Sequence, residues 1–131
     1  MAHYQDLRAW RIAHELAEAV HKAVDSFPLS ERFELSSQLR RAALSVPTNL
    51  AEGQGRFGPR EALRFARIAA GSLAEVDYLL LFAFERGYLD TSTYESLMQR
   101  RKHASRIVDK LIRSLRSAAR TTPVQDRPGP S

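Results

Sequence analysis

The sequence contains no cysteine, and its longest uninterrupted apolar run, Leu79 to Phe84, is only six residues long. The first absence excludes disulfides and thiolate metal sites and is typical of a protein in a reducing cytosol. The second excludes a membrane-spanning helix, which needs about 20 apolar residues. Residues Met1 to Asp6 also lack the apolar segment of a signal peptide. We therefore expect a cytoplasmic protein without a membrane partner.

Hydrophobic residues make up 44% of the 131 residues, so a packed core is expected and a disordered polycation is not. A chain of this length forms one domain, but it is short enough that oligomerisation would help to cover its apolar surface. Three of the six prolines lie in the last eleven residues, which are almost free of apolar side chains. This composition predicts a folded domain over residues 1–120 and a disordered tail over residues 121–131.

Residues 35–53 carry two stripes at helical spacing. One is apolar and suits a core. The other, here called the polar stripe, carries short hydrogen-bonding groups and one Arg/Glu couple. Because each residue of an α-helix turns the chain by about 100°, the polar stripe is rotated about 110° from the apolar stripe. The apolar stripe comprises Leu35, Leu39, Ala42, Val46 and Leu50. The polar stripe comprises Gln38, Arg41, Ser45, Asn49 and Glu52. Such a polar surface predicts a specific contact that orders either neighbouring subunits or the helix itself.

Pro47 lies in the middle of this segment. Proline lacks a backbone donor, and its ring crowds the carbonyl group four residues earlier, that of Ala43. Two outcomes follow from this chemistry. Either a proline-kinked helix continues, or the helix ends at Val46 and residues 48–53 form a loop.

The remaining pattern predicts four helices and no strands. Helix one extends from about Asp6 to Ser26, and helix two starts near Ser30. Helix three extends from Pro59 to about Arg86, with Gly87 at its end. Helix four begins with a capping box formed by Ser92 and Glu95 and continues to about Ala119. Short connections between these helices predict an all-α, up-down four-helix bundle.

Charge is segregated along the chain. Residues 36–67 have a net charge of +4, residues 68–99 a net charge of −4, and residues 100–120, with eight basic and one acidic residue, a net charge of +7. Of the 20 basic residues 17 are arginine, whose planar group pairs with phosphate through two hydrogen bonds. The overall charge of +5 therefore conceals one strongly basic helix, which indicates a polyanionic partner.

Six basic residues recur every three or four positions in the predicted last helix, opposite its apolar stripe. This basic ridge comprises Lys102, Arg106, Lys110, Arg113, Arg116 and Arg120. The ridge would extend about 27 Å, comparable to a short run of backbone phosphates. A smaller basic patch at the start of helix three comprises Arg60, Arg64 and Arg67. We predict that both sets contact phosphates; the alternative is a solvated surface whose arginines are favoured near a helix C-terminus by the helix dipole.

Helix three also indicates self-association. Between Val76 and Phe84 it is apolar nearly all round, with Asp77 as its one charged residue. A helix of this kind is usually buried on more than one side, and exposed apolar patches are uncommon on monomers. We therefore expect a homo-oligomer, although the small residues just upstream also suit packing within one subunit.

No constellation in the sequence predicts catalysis. Glu18 and His21 have the spacing of a carboxylate-bridged metal site, with His14 on the same side, but a second such motif is missing. Ser45, Asn49 and Glu52 have no nearby histidine in the sequence that would activate a nucleophile. We expect no catalytic residue, no metal and no cofactor, and hence no enzyme.

Residues 38–43 and 45–53 resemble the signature of the four-helix-bundle proteins encoded in intervening sequences of bacterial 23S rRNA genes. The segment from Phe65 to Glu75 is similar to the third helix of that family, and Asp6-Leu7 with Trp10 is similar to its opening. The similarity covers about residues 4–115, with Leu50 where isoleucine is commoner. It implies a ring, most simply a pentamer, with nucleic acid as a partner. A related group, the accessory proteins of diversity-generating retroelements, is basic, pentameric and nucleic-acid-binding.

Together these observations predict a non-enzymatic, homo-oligomeric bundle that binds RNA or DNA electrostatically. Because no aromatic residues alternate with the basic ridge, stacking on bases and sequence-specific recognition are not expected. The alternative is a scaffold whose ring assembly recruits another protein, such as a reverse transcriptase.

Overall fold

A computed structural model describes residues 4–121 of the chain. Its four α-helices are α1 (Arg8–Val24), α2 (Leu35–Gln54), α3 (Pro59–Glu85) and α4 (Thr91–Thr121). Two short 3-10 turns, Tyr4–Asp6 and Leu29–Glu31, precede α1 and α2. The described residues contain no strand, which confirms the all-α prediction. Thr121 ends α4, and the rest of the predicted tail lies outside the described residues.

The helices pack in chain order around one core. Within the described chain α2 lies between α1 and α3, and α4 lies between α3 and α1, so α2 and α4 are diagonally opposite. Each helix contributes a fully buried side chain to the centre, exemplified by Leu16, Leu39, Leu73 and Val108. The four-helix bundle is thus confirmed, while the up-down alternation of helix direction stays a prediction.

The second helix continues through Pro47 as far as Gln54, so the alternative of a loop over residues 48–53 is wrong. Pro47 itself is buried, and the loss of its donor is accompanied by side-chain hydrogen bonds from the next two residues. Thr48 Oγ1 donates to the Leu44 carbonyl at 2.7 Å, and Asn49 Nδ2 donates to the Ser45 carbonyl at 2.8 Å. Tertiary burial and these bonds outweigh the local preference of proline to end a helix. A kink at this point stays a prediction.

The first two helices differ in their ends from the predicted boundaries. Helix α1 is two residues shorter at each end than predicted, with Leu7 extended before it. The prediction that helix two starts near Ser30 is wrong, because the chain forms a 3-10 turn after Pro28 and then passes through a non-helical Glu34. The turn that follows Pro28 therefore sets where α2 begins. The apolar periodicity of α2 does not predict this position.

The turn from α3 to α4 is set by two local devices. Gly87 adopts a φ of +82°, and the Tyr88 N–H donates to the Ala83 carbonyl at 2.9 Å, which closes α3 in a Schellman motif. Helix α4 starts at Thr91, and its cap is Asp90, whose Oδ1 accepts the Thr93 N–H at 2.7 Å. The predicted Ser92 and Glu95 capping box is therefore wrong, because the aspartate that ends the turn reaches the free N–H groups first.

Candidate nucleic-acid interface

All six residues of the basic ridge are exposed on α4. The opposite side of the helix carries Leu97, Ala104 and Val108 into the core, so the ridge points away from the bundle. No described residue forms an ion pair with any member of the ridge. The ridge therefore presents its positive charge to solvent.

Arg101 shows the contrasting arrangement on the same helix. Its guanidinium is largely buried, lies 3.3 Å from Asp77 Oδ2 of α3 and donates to Ser105 Oγ at 3.1 Å. This arginine joins α4 to α3, and its charge is balanced within the fold. The periodicity of the sequence separates the two kinds of cation, because Arg101 falls outside the three- and four-residue spacing of the ridge.

The basic patch at the start of α3 is exposed at all three positions. Arg64 is partly balanced, because its Nε lies 3.2 Å from Glu61 Oε2 and its guanidinium lies 4.4 Å from the Phe65 ring centre. Since α3 packs against α4, the patch and the ridge belong to neighbouring helices.

The polar stripe divides into a buried part and an exposed part. Ser45 and Asn49 are half-buried and take part in a network that reaches α3 at Ser72, whose hydroxyl lies 2.8 Å from Ser45 Oγ. Gln38, Arg41 and Glu52 are exposed. Glu52 Oε1 lies 2.7 Å from Nη2 of Arg56, in the turn that follows α2. Sequence periodicity could not identify Ser72 as the partner of Ser45. Periodicity predicts which side of a helix a residue lies on, but not which residue of another helix it contacts.

An apolar surface remains open on the outer side of α3. Tyr78, Leu81 and Phe82 are exposed there, in the segment that the sequence singled out as apolar nearly all round. A groove of about 370 Å³ lies beside it, between α2 and α3, and Gln38 of the polar stripe lines that groove together with Tyr78 and Phe82. Sequence reasoning predicted a second apolar side of α3, and the structure locates it next to the exposed end of the polar stripe.

The partial metal motif on α1 is split between two surroundings. His14 stacks on Trp10 at a centroid distance of 4.8 Å, and its Nε2 lies 3.4 Å from Glu18 Oε1. His21 instead lines a separate cavity with arginine residues of the following segment. Within residues 4–121, no three or more histidine, aspartate and glutamate side chains form a group that could hold a metal ion.

A membrane-spanning helix must be both long and apolar. Over the described residues, none of the helices combines the length and the apolar character needed to cross a bilayer.

A family model for 23S rRNA-intervening sequence proteins matches residues 5–110, which is most of the chain. The chain belongs to this family. The helical bundle of this 23S rRNA-intervening sequence protein is also similar to a crystal structure of a protein of unknown function from the S23 ribosomal protein family of Bacteroides thetaiotaomicron. The TM-score is 0.71 at 19% identity, over 79% of this chain and 97% of the other. No curated protein matches the chain.

Proposed function

We propose that this member of the family is a non-catalytic, cytoplasmic protein that forms a homo-oligomer. It binds nucleic acid, with RNA as the first candidate, through contacts to backbone phosphates. The single observation that supports this most is the basic ridge: six outward cations on one helix, with no ion pair to any described residue. Fixed positive charge of this density releases counterions from a nucleic acid on binding, which favours association at low salt. We assign the phosphate contacts to the basic ridge together with Arg60, Arg64 and Arg67.

Contacts to phosphate would dominate over contacts to bases. The aromatic side chain on α4, Tyr94, is occupied in a stack on Phe84 with ring centres 4.3 Å apart. It lies near the start of the helix, away from the ridge. Without a stacking platform beside the cations, affinity should depend strongly on salt and weakly on sequence.

Self-association is the second part of the proposal. The outer side of α3, with Tyr78, Leu81 and Phe82, supplies apolar area of the kind that oligomers cover. Gln38 at the edge of that surface supplies a polar group for the rim. We assign Ser45 and Asn49 to ordering α2 against α3, as their hydrogen bonds support. A closed ring, most simply a pentamer, would repeat the basic ridge and multiply its field.

The proposal is tested by the salt dependence of binding to a fluorescent single-stranded RNA and the matching DNA. If the ridge residues and Arg60, Arg64 and Arg67 each neutralise one phosphate, the plot of log affinity against log salt should have a slope of about −6 for a single strand. The double variant Arg113→Gln/Arg116→Gln should reduce that slope by about one. The control Arg8→Gln/Lys22→Gln removes the same charge from exposed positions on α1 and should leave the slope unchanged. Absence of binding at 50 mM salt, or equal effects of the two variants, would contradict the proposal.

A second candidate function is a scaffold that recruits another protein, such as a reverse transcriptase. Its support comes from the connection between α1 and α2, where Leu29 and Phe33 are 82% and 80% exposed. Large apolar side chains this open suit a protein surface better than a nucleic acid. Under this alternative, no RNA shift occurs in a gel at low salt, and capture of the partner survives loss of the ridge arginines.

A further inference from the structure

A concave, strongly basic cavity lies between the second half of α1 and the segment that leads into and along α2. It has a volume of about 320 Å³. Three guanidinium groups, an imidazole, a hydroxyl group and one apolar side chain line it. These residues are His21, Arg32, Ser37, Arg40, Arg41 and Leu44.

The charge of this cavity is only partly balanced by the protein. Arg40 Nη2 lies 3.1 Å from Asp25 Oδ1, and this pair accounts for one of the three arginines. Arg41 forms no ion pair with a described residue, and Arg32 lies over the ring of Phe33 at 4.7 Å, without a carboxylate partner in the described chain. Two positive charges thus converge on a recess without an anion from the fold. Like charges held together in this way favour the binding of an anion.

A buried nitrogen atom supplies an independent observation. His21 Nε2 is inaccessible to solvent, and no group among the described residues forms a hydrogen bond with it. Buried polar side-chain atoms in proteins almost always have a partner, because an unmade hydrogen bond costs free energy. Other atoms of His21 line the cavity, so a turn of its ring would bring this nitrogen to a ligand oxygen there.

We infer that this cavity is a binding site for a phosphate group. Arg41 and Arg32 supply the forked donors, Arg40 adds further positive charge, and the Ser37 hydroxyl and the His21 ring complete the donor set. A carboxylate has two oxygens and is satisfied by one guanidinium, whereas the larger oxygen set of a phosphate group matches donors that converge from several sides. The number of donors therefore favours phosphate over carboxylate.

The site is separate from the basic ridge. It lies on the side of the bundle formed by α1 and α2, and α2 is diagonally opposite α4 within the described residues. The phosphate is either a free group, as in inorganic phosphate or a mononucleotide, or a phosphodiester of a strand that also contacts the ridge. The second source rests on the proposed function, and the first does not.

The test follows the imidazole Cε1–H signal of His21 by NMR in the full-length protein, with the signal assigned through His21→Gln. Inorganic phosphate at millimolar concentration should shift this signal, while sodium chloride at equal ionic strength should not. The variant Arg41→Gln should weaken phosphate binding on the order of tenfold, the loss expected for one charge-assisted hydrogen bond. Arg32→Gln provides a second variant, since both side chains are exposed and lie outside the core.

The control Arg8→Gln removes an exposed arginine from the opposite end of α1 and should bind phosphate as the wild type does. A His21 signal that phosphate moves no more than chloride would overturn the inference. Equal affinity of Arg41→Gln, Arg32→Gln and the wild type would overturn it as well.

A further comparison identifies the source of the phosphate. If adenosine monophosphate shifts the His21 signal and a twelve-nucleotide RNA does not, the ligand is a free phosphate group. If the RNA shifts it, the site holds a strand. The ridge variant Arg113→Gln/Arg116→Gln keeps the response to inorganic phosphate in either case. Failure of RNA binding would therefore leave this site intact, and failure of this site would leave RNA binding by the ridge intact.

Discussion

The hydroxyl oxygen of Ser45 on α2 lies 2.8 Å from that of Ser72 on α3. Asn49 Nδ2 donates to the same Ser45 oxygen at 2.9 Å, so one small polar network joins the two helices. Ser72 is buried there. The Ser45–Ser72 hydrogen bond links α2 to α3 two residues before Pro47, at a position of the polar stripe.

Replacement of Ser72 by alanine should destabilise the protein by about 1 kcal/mol, the usual net value of a hydrogen bond whose partner can still bond elsewhere. Asn49→Ala should cost at least as much, because it removes the donor to both the Ser45 hydroxyl and the Ser45 carbonyl. Urea unfolding at fixed protein concentration measures both values. Ser114→Ala, at an exposed position of α4, serves as the control and should have little effect. A Ser72→Ala protein as stable as the wild type would show that the network contributes nothing to stability.

Two glycines within helices should respond in opposite directions to alanine. A Cβ atom at Gly53 would lie 3.0 Å from Phe65 Cβ and 3.4 Å from the Ala62 carbonyl oxygen, so α2 and α3 would have to separate. Gly53→Ala should therefore destabilise the protein by about 1–3 kcal/mol. A Cβ atom at Gly71 meets nothing within 4 Å, and Gly71→Ala should stabilise α3 by up to about 1 kcal/mol. Thermal unfolding of the two variants checks the signs. A rise in Tm for Gly53→Ala would refute the close approach at Gly53, and a fall in Tm for Gly71→Ala would refute the open space at Gly71.

Because Asp90 caps α4, the free energy of unfolding should depend on pH in the acidic range. The hydrogen bond from the Thr93 N–H lowers the pKa of Asp90 below its ordinary value of 3.8. Because the pKa is lower in the folded state, the stabilisation is complete above the unfolded value and is lost as the pH falls through the folded value. The difference in Tm between the wild type and Asp90→Ala should thus be constant near neutral pH and shrink below about pH 3.8.

Asp90→Asn separates the cap from its charge. Asparagine caps a helix about as well as aspartate but does not titrate. This variant should keep most of the Tm at neutral pH and lose the acid dependence that Asp90 contributes. If Asp90→Asn loses as much stability at neutral pH as Asp90→Ala, the stabilisation comes from the charge and not from the hydrogen bond.

The outer side of α3 should be needed for self-association. Tyr78 and Phe57 are both 61% exposed, but only Tyr78 belongs to the apolar surface beside Leu81 and Phe82. A glutamate at position 78 would leave a charge without a partner in a covered interface, which costs several kcal/mol. Tyr78→Glu should therefore be monomeric in sedimentation velocity, whereas Phe57→Glu should keep the oligomeric state of the wild type. If Tyr78→Glu forms oligomers of unchanged size, the interface between subunits lies on another surface.

The helices and the direction of the basic ridge could be predicted because both depend on one periodicity. Apolar residues such as Val108 and charged residues such as Arg106 alternate at helical spacing, so a buried stripe implies an exposed one. Pairings between helices could not be predicted in this way. The bond from Ser45 to Ser72, and the cavity that brings His21 to Arg41, depend on how two helices slide and rotate against each other.

Local competition explains the misplaced boundaries. The Ser92 and Glu95 pair has the spacing of a capping box, but Asp90 is closer to the turn and caps the helix instead. Pro47 predicts a boundary by its covalent structure alone, while its burial and the side-chain bonds of the residues after it keep the helix continuous. In the first case a neighbouring residue supplies the hydrogen bond that sets the boundary, and in the second the burial of Pro47 accompanies a helix that continues past it.

The far end of α4 is only partly buried: from residue 109 to residue 121, Ala119 is the one buried residue, and Leu111, Ile112 and Leu115 are half-buried against the core. Arg113, Arg116 and Arg120 stand there three and four residues apart, a spacing at which like charges repel along a helix. Occupancy by a polyanion relieves this repulsion, so binding and helical order are thermodynamically linked in that segment. The terminus should fray most in the free protein at low salt, and its amide protection should rise when a ligand is engaged.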